Sequence, residues 1–175
     1  MRVREARLDD AGAMVELVRR VESATDWLLP EVEELTMDAT AMTRRLGLFL
    51  GRENCTVIVA EDGDGGRLTG YLFALGGHLR GIAHAARING LGVLPEARRR
   101  GVGLGMLRRL DAWAEERMLH RLELRLMAPN EAAHALYLRA GYLDEGLERH
   151  AYLVRGRYVD AMMMGKLLDG EEPQR

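Results

Sequence analysis

Apolar and polar positions along this chain repeat with two periods, and the switches between them mark its elements. From Val3 to Leu8 apolar and charged residues alternate, as on a half-buried strand. Asp9 or Asp10 then caps a helix whose apolar face is Ala11, Met14, Leu17, Val18 and Val21. Ser23 to Pro30 breaks that period. Trp27, Leu28 and Leu29 sit in the break, ahead of the acidic run Glu31, Glu33 and Glu34. Thr36 or Asp38 opens a second helix that reaches about Phe49 or Leu50. Thr56 to Ala60 is a β-branched, apolar run, Asp62 to Gly66 a turn, and Leu68 to Leu75 the returning strand of a hairpin. Gly76 and Gly77 open a loop, and Ile82 to Val93 is a further strand, stopped by Pro95. Val102, Met106, Leu110, Trp113, Ala114 and Met118 recur at spacings of three and four, one face of a long helix.

Alternation returns at Arg121 to Met127, with Leu122, Leu124 and Leu126 on one face and Arg121, Glu123 and Arg125 on the other. A strand, a crossover helix and a strand imply a parallel pair. Asn130 can cap the next helix, which carries Ala133, Leu136, Tyr137 and Ala140 and stops at Gly141. Tyr142 to Arg155 and Arg157 to Leu168 read as a final hairpin about Gly156, with Met162, Met163 and Met164 as packing residues. The order β-α-α-β-β-β-α-β-α-β-β predicts a mixed α/β domain.

Composition narrows this little. A chain of 175 residues, 47% hydrophobic and 30% charged, is globular. We expect residues 1–169 to form one domain and 170–175 a flexible tail. A net charge of −2 gives no general argument for nucleic acid or membrane as partners, and neither is expected. Cys55 is alone, so no disulfide framework is expected. Met1 to Glu5 lacks an apolar signal core and no apolar run reaches membrane-spanning length, so the expected location is cytoplasmic. The apolar last strand leaves a homodimer open. Asp62 and Asp64 have the spacing that opens a calcium loop, but the distal glutamate is missing and a plain turn is the better reading; no metal is expected.

The chemistry is concentrated between Leu91 and Met118. Arg98, Arg99 and Arg100 run into Gly101, Gly103 and Gly105 where the long helix begins. The first amides of a helix have no internal partner and lie at the positive end of its dipole. Glycines let a ligand approach them, and arginines raise the local potential. This combination predicts a phosphate-bearing ligand. It is not a P-loop, because Leu104 and Met106, not Lys-Ser/Thr, follow the glycines. It is not the dinucleotide fingerprint either, being one residue short before the third glycine.

Arg98-Arg99-Arg100-Gly101-Val102-Gly103 resembles the acyl-CoA loop of the GNAT superfamily of N-acetyltransferases: Arg or Gln, two residues, Gly, one residue, Gly or Ala, between a strand and a helix. Asn130, Ala133, Leu136-Tyr137 and Gly141-Tyr142 are similar to that family's second motif, and the element order resembles its whole fold. The resemblance implies a central, mostly antiparallel twisted sheet of six to seven strands, with a parallel fourth and fifth strand splayed apart and about four flanking helices. It implies acetyl-CoA as cosubstrate and transfer of its acetyl group to a primary amine of a small molecule or protein. The diphosphate would sit on the amides around Arg99 to Leu104, with Arg98, Arg100, Gly101, Val102 and Gly103 in the same cradle. The pantetheine arm would pair with Leu91, Gly92 and Val93, an N–H near Val93 would polarise the thioester carbonyl, and Asn130 and Ala133 would hold the arm. Tyr137 would protonate the leaving thiolate.

Two points depart from this pattern or leave it open. Many members carry a glutamate on the fourth strand. Here the strand offers His84, Arg87 and Asn89, while Asp26, Glu31, Glu33 and Glu34, or water, could take the amine proton, so no base is assigned. By family topology the acceptor would meet Trp27 to Thr36, Gly76 to Arg80 and Leu153 to Tyr158. A non-catalytic acyl-CoA-binding domain is the alternative.

Overall fold

The computed structural model describes residues 1–27, 37–63 and 66–168. Leu28, Leu29, Glu31, Glu33, Glu34, Thr36 and the tail 170–175 lie outside them. The strands are β1 (Arg2–Glu5), β2 (Cys55–Glu61), β3 (Leu68–Gly76), β4 (Ala85–Val93), β5 (Arg121–Met127), β6 (Leu143–Val154) and β7 (Arg157–Leu167). They form one seven-stranded sheet in the order β1-β2-β3-β4-β5-β7-β6. Every neighbouring pair is antiparallel except β4 and β5, which are parallel as the crossover requires. Among the described residues the helices are α1 (Ala11–Glu22), α2 (Ala39–Leu50), α3 (Val102–Glu116) and α4 (Glu131–Arg139).

The two sheet faces are covered by different helices. On one, Val21 of α1 reaches Gly92 and the Tyr71 ring; on the other, Val102 and Met106 of α3 come against Gly70. β2 is therefore buried on both faces along its whole length, and its central run, Val57 to Ala60, is apolar without alternation. The side chains of Trp113, Met106 and Leu110 from α3 lie fully inside the core. Among the described residues no helix is long and apolar enough to cross a membrane.

Three boundaries differ from the sequence pattern. β1 ends at Glu5, because Leu8–Asp10 is a 3-10 turn whose Leu8 is exposed. Asp10 does not cap α1; its carboxylate accepts from Arg7 N–H at 2.6 Å and pairs with Arg4 at 2.8 Å. β4 begins at Ala85, since Arg80–Ile82 is another 3-10 turn and Ile82 is exposed. Helix α3 ends at Glu116, and Met118, on the apolar spacing, lies beyond it with φ of 54° and is 90% exposed. Asp38 caps α2, its carboxylate accepting from Ala41 N–H at 2.7 Å.

One irregularity positions the site. Phe73 pairs with Gly90 but Ala74 with Ile88, so Asn89 is an extra residue, a bulge that turns the strand. β4 pairs with β5 only from Ala85–Arg121 to Ile88–Leu124. Past that point β4 stays on β3 to Val93 and β5 stays on β7 to Met127. The two parallel strands part, and a gap opens between them.

Candidate active site

Backbone geometry sets the chemistry of the gap. Leu94 N–H donates to the Thr69 carbonyl at 2.9 Å, so Leu94 faces β3. In an antiparallel ladder the residues alternate, so Gly92 also faces β3, while Leu91 and Val93 turn their amide groups into the gap. These are the groups an added strand would use. Gly92 has no substitute here, because a Cβ on it would stand 2.5 Å from the Tyr71 ring.

At the end of β4 the chain turns through Pro95–Ala97 and enters the arginine loop. Arg99 (φ 61°) and Gly101 (φ 82°) are both left-handed. The first helical hydrogen bond of α3 is Gly105 N–H to the Gly101 carbonyl at 2.9 Å. Among the described residues, the amides from Arg99 to Leu104 donate to no backbone carbonyl. Successive free amides at alternating handedness form a concave anion nest, and the dipole of α3 adds to it. These residues fit a diphosphate. No atom lies within 4 Å of a Cβ at Gly101, so its glycine is needed for conformation alone. Gly101→Ala is therefore expected to lower unfolding free energy by about 1–2 kcal/mol, the left-handed penalty of an L-residue, measurable by urea denaturation.

The gap and the nest belong to one cleft of about 830 Å³ between β4, α3 and α4. Leu91, Gly92, Val93, Arg98, Arg99, Gly101, Val102, Gly103, Leu104, Asn130 and Ala133 all line it. Arg100 does not; it is exposed and off the cleft wall. Arg98 lines the cleft, but its guanidinium is turned back, with Nε donating to the Val93 carbonyl at 3.1 Å. It ties the loop to the strand end. Arg139, in the last turn of α4, lines the cleft and was not singled out by the sequence, although it stands three residues after Leu136 on one helical face. Asn130 caps α4, its side-chain oxygen accepting from Ala133 N–H at 3.1 Å. Gly103 lets α3 approach α4: a Cβ there would stand 2.8 Å from a Leu136 methyl.

A second cavity of about 160 Å³ adjoins the cleft and shares Trp27, Leu91, Asn130 and Ala133 with it. Tyr137 is buried on its wall, packed edge-on to Tyr142 with ring centres 5.5 Å apart. Burial pushes the Tyr137 hydroxyl far above the ordinary tyrosine range, so it is protonated at neutral pH. Glu22, at the end of α1, is the one carboxylate lining this cavity among the described residues; the sequence had marked Val21 beside it, but not Glu22. His84 does not line it. It precedes β4 at the paired end, where its carbonyl accepts from His120 N–H at 2.8 Å. Arg87 is held by Glu123 at 2.7 Å, and Asn89 lines the cavity. Asp26 lines the larger cleft and pairs with Arg155 of the last hairpin at 2.7 Å. That hairpin contributes Tyr152 to the cavity wall, whereas Gly76 to Arg80 line neither space. Among the described residues no cluster of side chains is arranged to hold a metal.

Comparison with known proteins agrees with this architecture. The model of the Acetyltransferase (GNAT) family matches residues 21–142. An acetyltransferase of the GNAT family from Streptococcus pneumoniae superposes with a TM-score of 0.86 at 23% identity, over 95% of this chain and 98% of that one. The ribosomal-protein-alanine N-acetyltransferase of Brucella melitensis gives 0.82 at 26% identity, over 96% and 100%. The yncA protein of Salmonella typhimurium, solved with its cofactor acetyl-CoA, gives 0.85 at 20% identity, over 100% and 98%.

Proposed function

Since the chain belongs to the acetyltransferase (GNAT) family, with acetyl-CoA as its cosubstrate, we propose that it is an N-acetyltransferase acting on a primary amine by direct attack. The observation that carries this reading is one continuous space. The unpaired amides of Arg99 to Leu104, the open edge of β4 and the Tyr137 cavity follow one another along it.

The diphosphate lies on the nest, with Arg99 and Arg139 at the cleft wall. The pantetheine arm runs along Leu91 to Val93 as an extra strand, steadied by Asn130 and Ala133. An N–H at the open edge, from Leu91 or Val93, faces the thioester oxygen and stabilises the negative charge that develops on it. The amine lone pair attacks the carbonyl carbon, the carbon–sulfur bond breaks, and the thiolate takes the proton of Tyr137. The amine loses its own proton to Glu22 or to water, and the tyrosine is reprotonated from solvent. Arg100 enters this reading through its backbone amide in the nest, while its side chain lies off the cleft wall.

The test is a thermal-shift titration with acetyl-CoA followed by turnover against a panel of amines. A ligand that binds only the folded form at about a hundred times its Kd adds about 2.7 kcal/mol of stability, which is a readily measured rise in Tm. Absence of that rise overturns the cleft assignment. A rise without acetylation of any amine favours the non-catalytic acyl-CoA-binding domain.

A further inference from the structure

We propose that the acceptor is a small amine carrying its own carboxylate, of the size and charge of a free amino acid, and that Arg125 binds that carboxylate. The inference rests on the acetyltransferase reading and goes beyond it in naming the acceptor class.

Arg125 is the first residue of β5 past its last pair with β4, Ile88–Leu124. Strand alternation turns it away from the buried Leu124 and Leu126, to the face where the smaller cavity opens. Its guanidinium lies over the Tyr152 ring, 5.9 Å from the ring centre, and one terminal nitrogen is paired with Glu148. A guanidinium has five N–H donors in a rigid fork. The rest of this fork has no partner among the described residues, and it lines the cavity at the end of the gap. A fork fixed on an aromatic face with a free edge binds a carboxylate through two parallel hydrogen bonds.

The remaining wall sets the rest of the ligand. A cavity of roughly 150 Å³ takes one benzene ring. This one, of about 160 Å³, has the room for a small molecule. Trp27, Tyr71, Phe73, Tyr137 and Tyr152 surround it, five of the nine aromatic residues of the chain. The only other charged groups on its wall among the described residues are Glu22 and Arg45, the latter lying over Phe73 at 4.6 Å. A polyamine offers no anion to the open edge of the Arg125 fork and brings a second ammonium group towards it. A peptide N-terminus has a neutral amide where the Arg125 edge calls for an anion. An amino acid offers its amine to the gap and a carboxylate to Arg125.

The experiment measures acetylation of free L-amino acids, the corresponding amino-acid amides and spermidine by the wild-type protein, Arg125→Gln and Arg125→Lys. The expected wild-type result is a kcat/KM for the best free acid about tenfold or more above that of its amide, the scale of one charged hydrogen-bonded contact. Arg125→Gln should raise KM for that acid by a similar factor with kcat little changed, and leave the amide unaffected. Arg125→Lys should restore part of the loss. Equal use of acid and amide by the wild type, preference for spermidine, or an equal loss on all amines in Arg125→Gln would overturn the proposal. In the first two cases N-acetyl transfer itself would stand. Turnover of no amine, with acetyl-CoA still raising Tm, would remove both.

Discussion

Tyr137→Phe is expected to reduce kcat by about a hundredfold while leaving the acetyl-CoA affinity of the protein near wild type. General acid catalysis contributes on the order of 10²–10⁴-fold, and the structure favours the lower end. Burial raises the Tyr137 pKa, and that shift has two consequences. It keeps the proton on the oxygen over the whole working range, which an acid requires. It also makes donation uphill, because a thiol of ordinary pKa, about 8.5, is the stronger acid. Proton transfer then helps only as the carbon–sulfur bond breaks. The sign for pH follows: the protonated form is the active one, and a raised pKa preserves it to higher pH. No fall in rate up to about pH 10 should therefore come from Tyr137. A pH–rate profile checks this, with any limb near neutrality assigned to loss of the amine proton. The ring of Tyr137 also packs against Tyr142, and phenylalanine keeps that contact, so a Tm close to wild type separates chemistry from packing.

Trp113→Ala is expected to cost about 3–5 kcal/mol of stability, the range for truncating a buried tryptophan. Trp113 is fully buried on α3, the helix whose first turn forms the anion nest. Its indole N–H has no partner among the described residues, so truncation leaves behind no acceptor that had depended on it. Denaturant unfolding measures the loss. Because the cavity forms three turns from Val102, the increment in Tm at saturating acetyl-CoA should be retained. Loss of that increment would mean that the nest depends on packing deep in α3.

Much of this was legible in the chain because it is local. The Arg98 to Gly103 loop, the Asn130 cap and the left-handed stop at Gly141 each depend on residues a few positions apart, and each sits where its pattern placed it. The periods that failed did so at ends. Leu8, Ile82 and Met118 continue an apolar spacing past the last packed position, where nothing lies opposite them. The rest depends on what lies across a gap. Alternation told that Arg125 and Leu124 face opposite ways, but not that β4 would leave β5 at that point. The bulge at Asn89 carries no sequence mark except the glycine that follows it. The charge of Arg98 is visible in a sequence and marks it as a phosphate ligand; its bond to the Val93 carbonyl is not, because that carbonyl is common to every residue type. Glu22 was hidden as a polar neighbour of a core valine.

The four-pair seam between β4 and β5 has a wider consequence. Each side of it is a complete antiparallel ladder, and among the described residues these four pairs alone join the two sides of the sheet. A thioester cosubstrate laid along Leu91 to Val93 would act as the missing stitch. Amide hydrogen exchange should then slow on both flanks of the seam when the donor is present, so that occupancy by one metabolite sets the stiffness of the whole sheet.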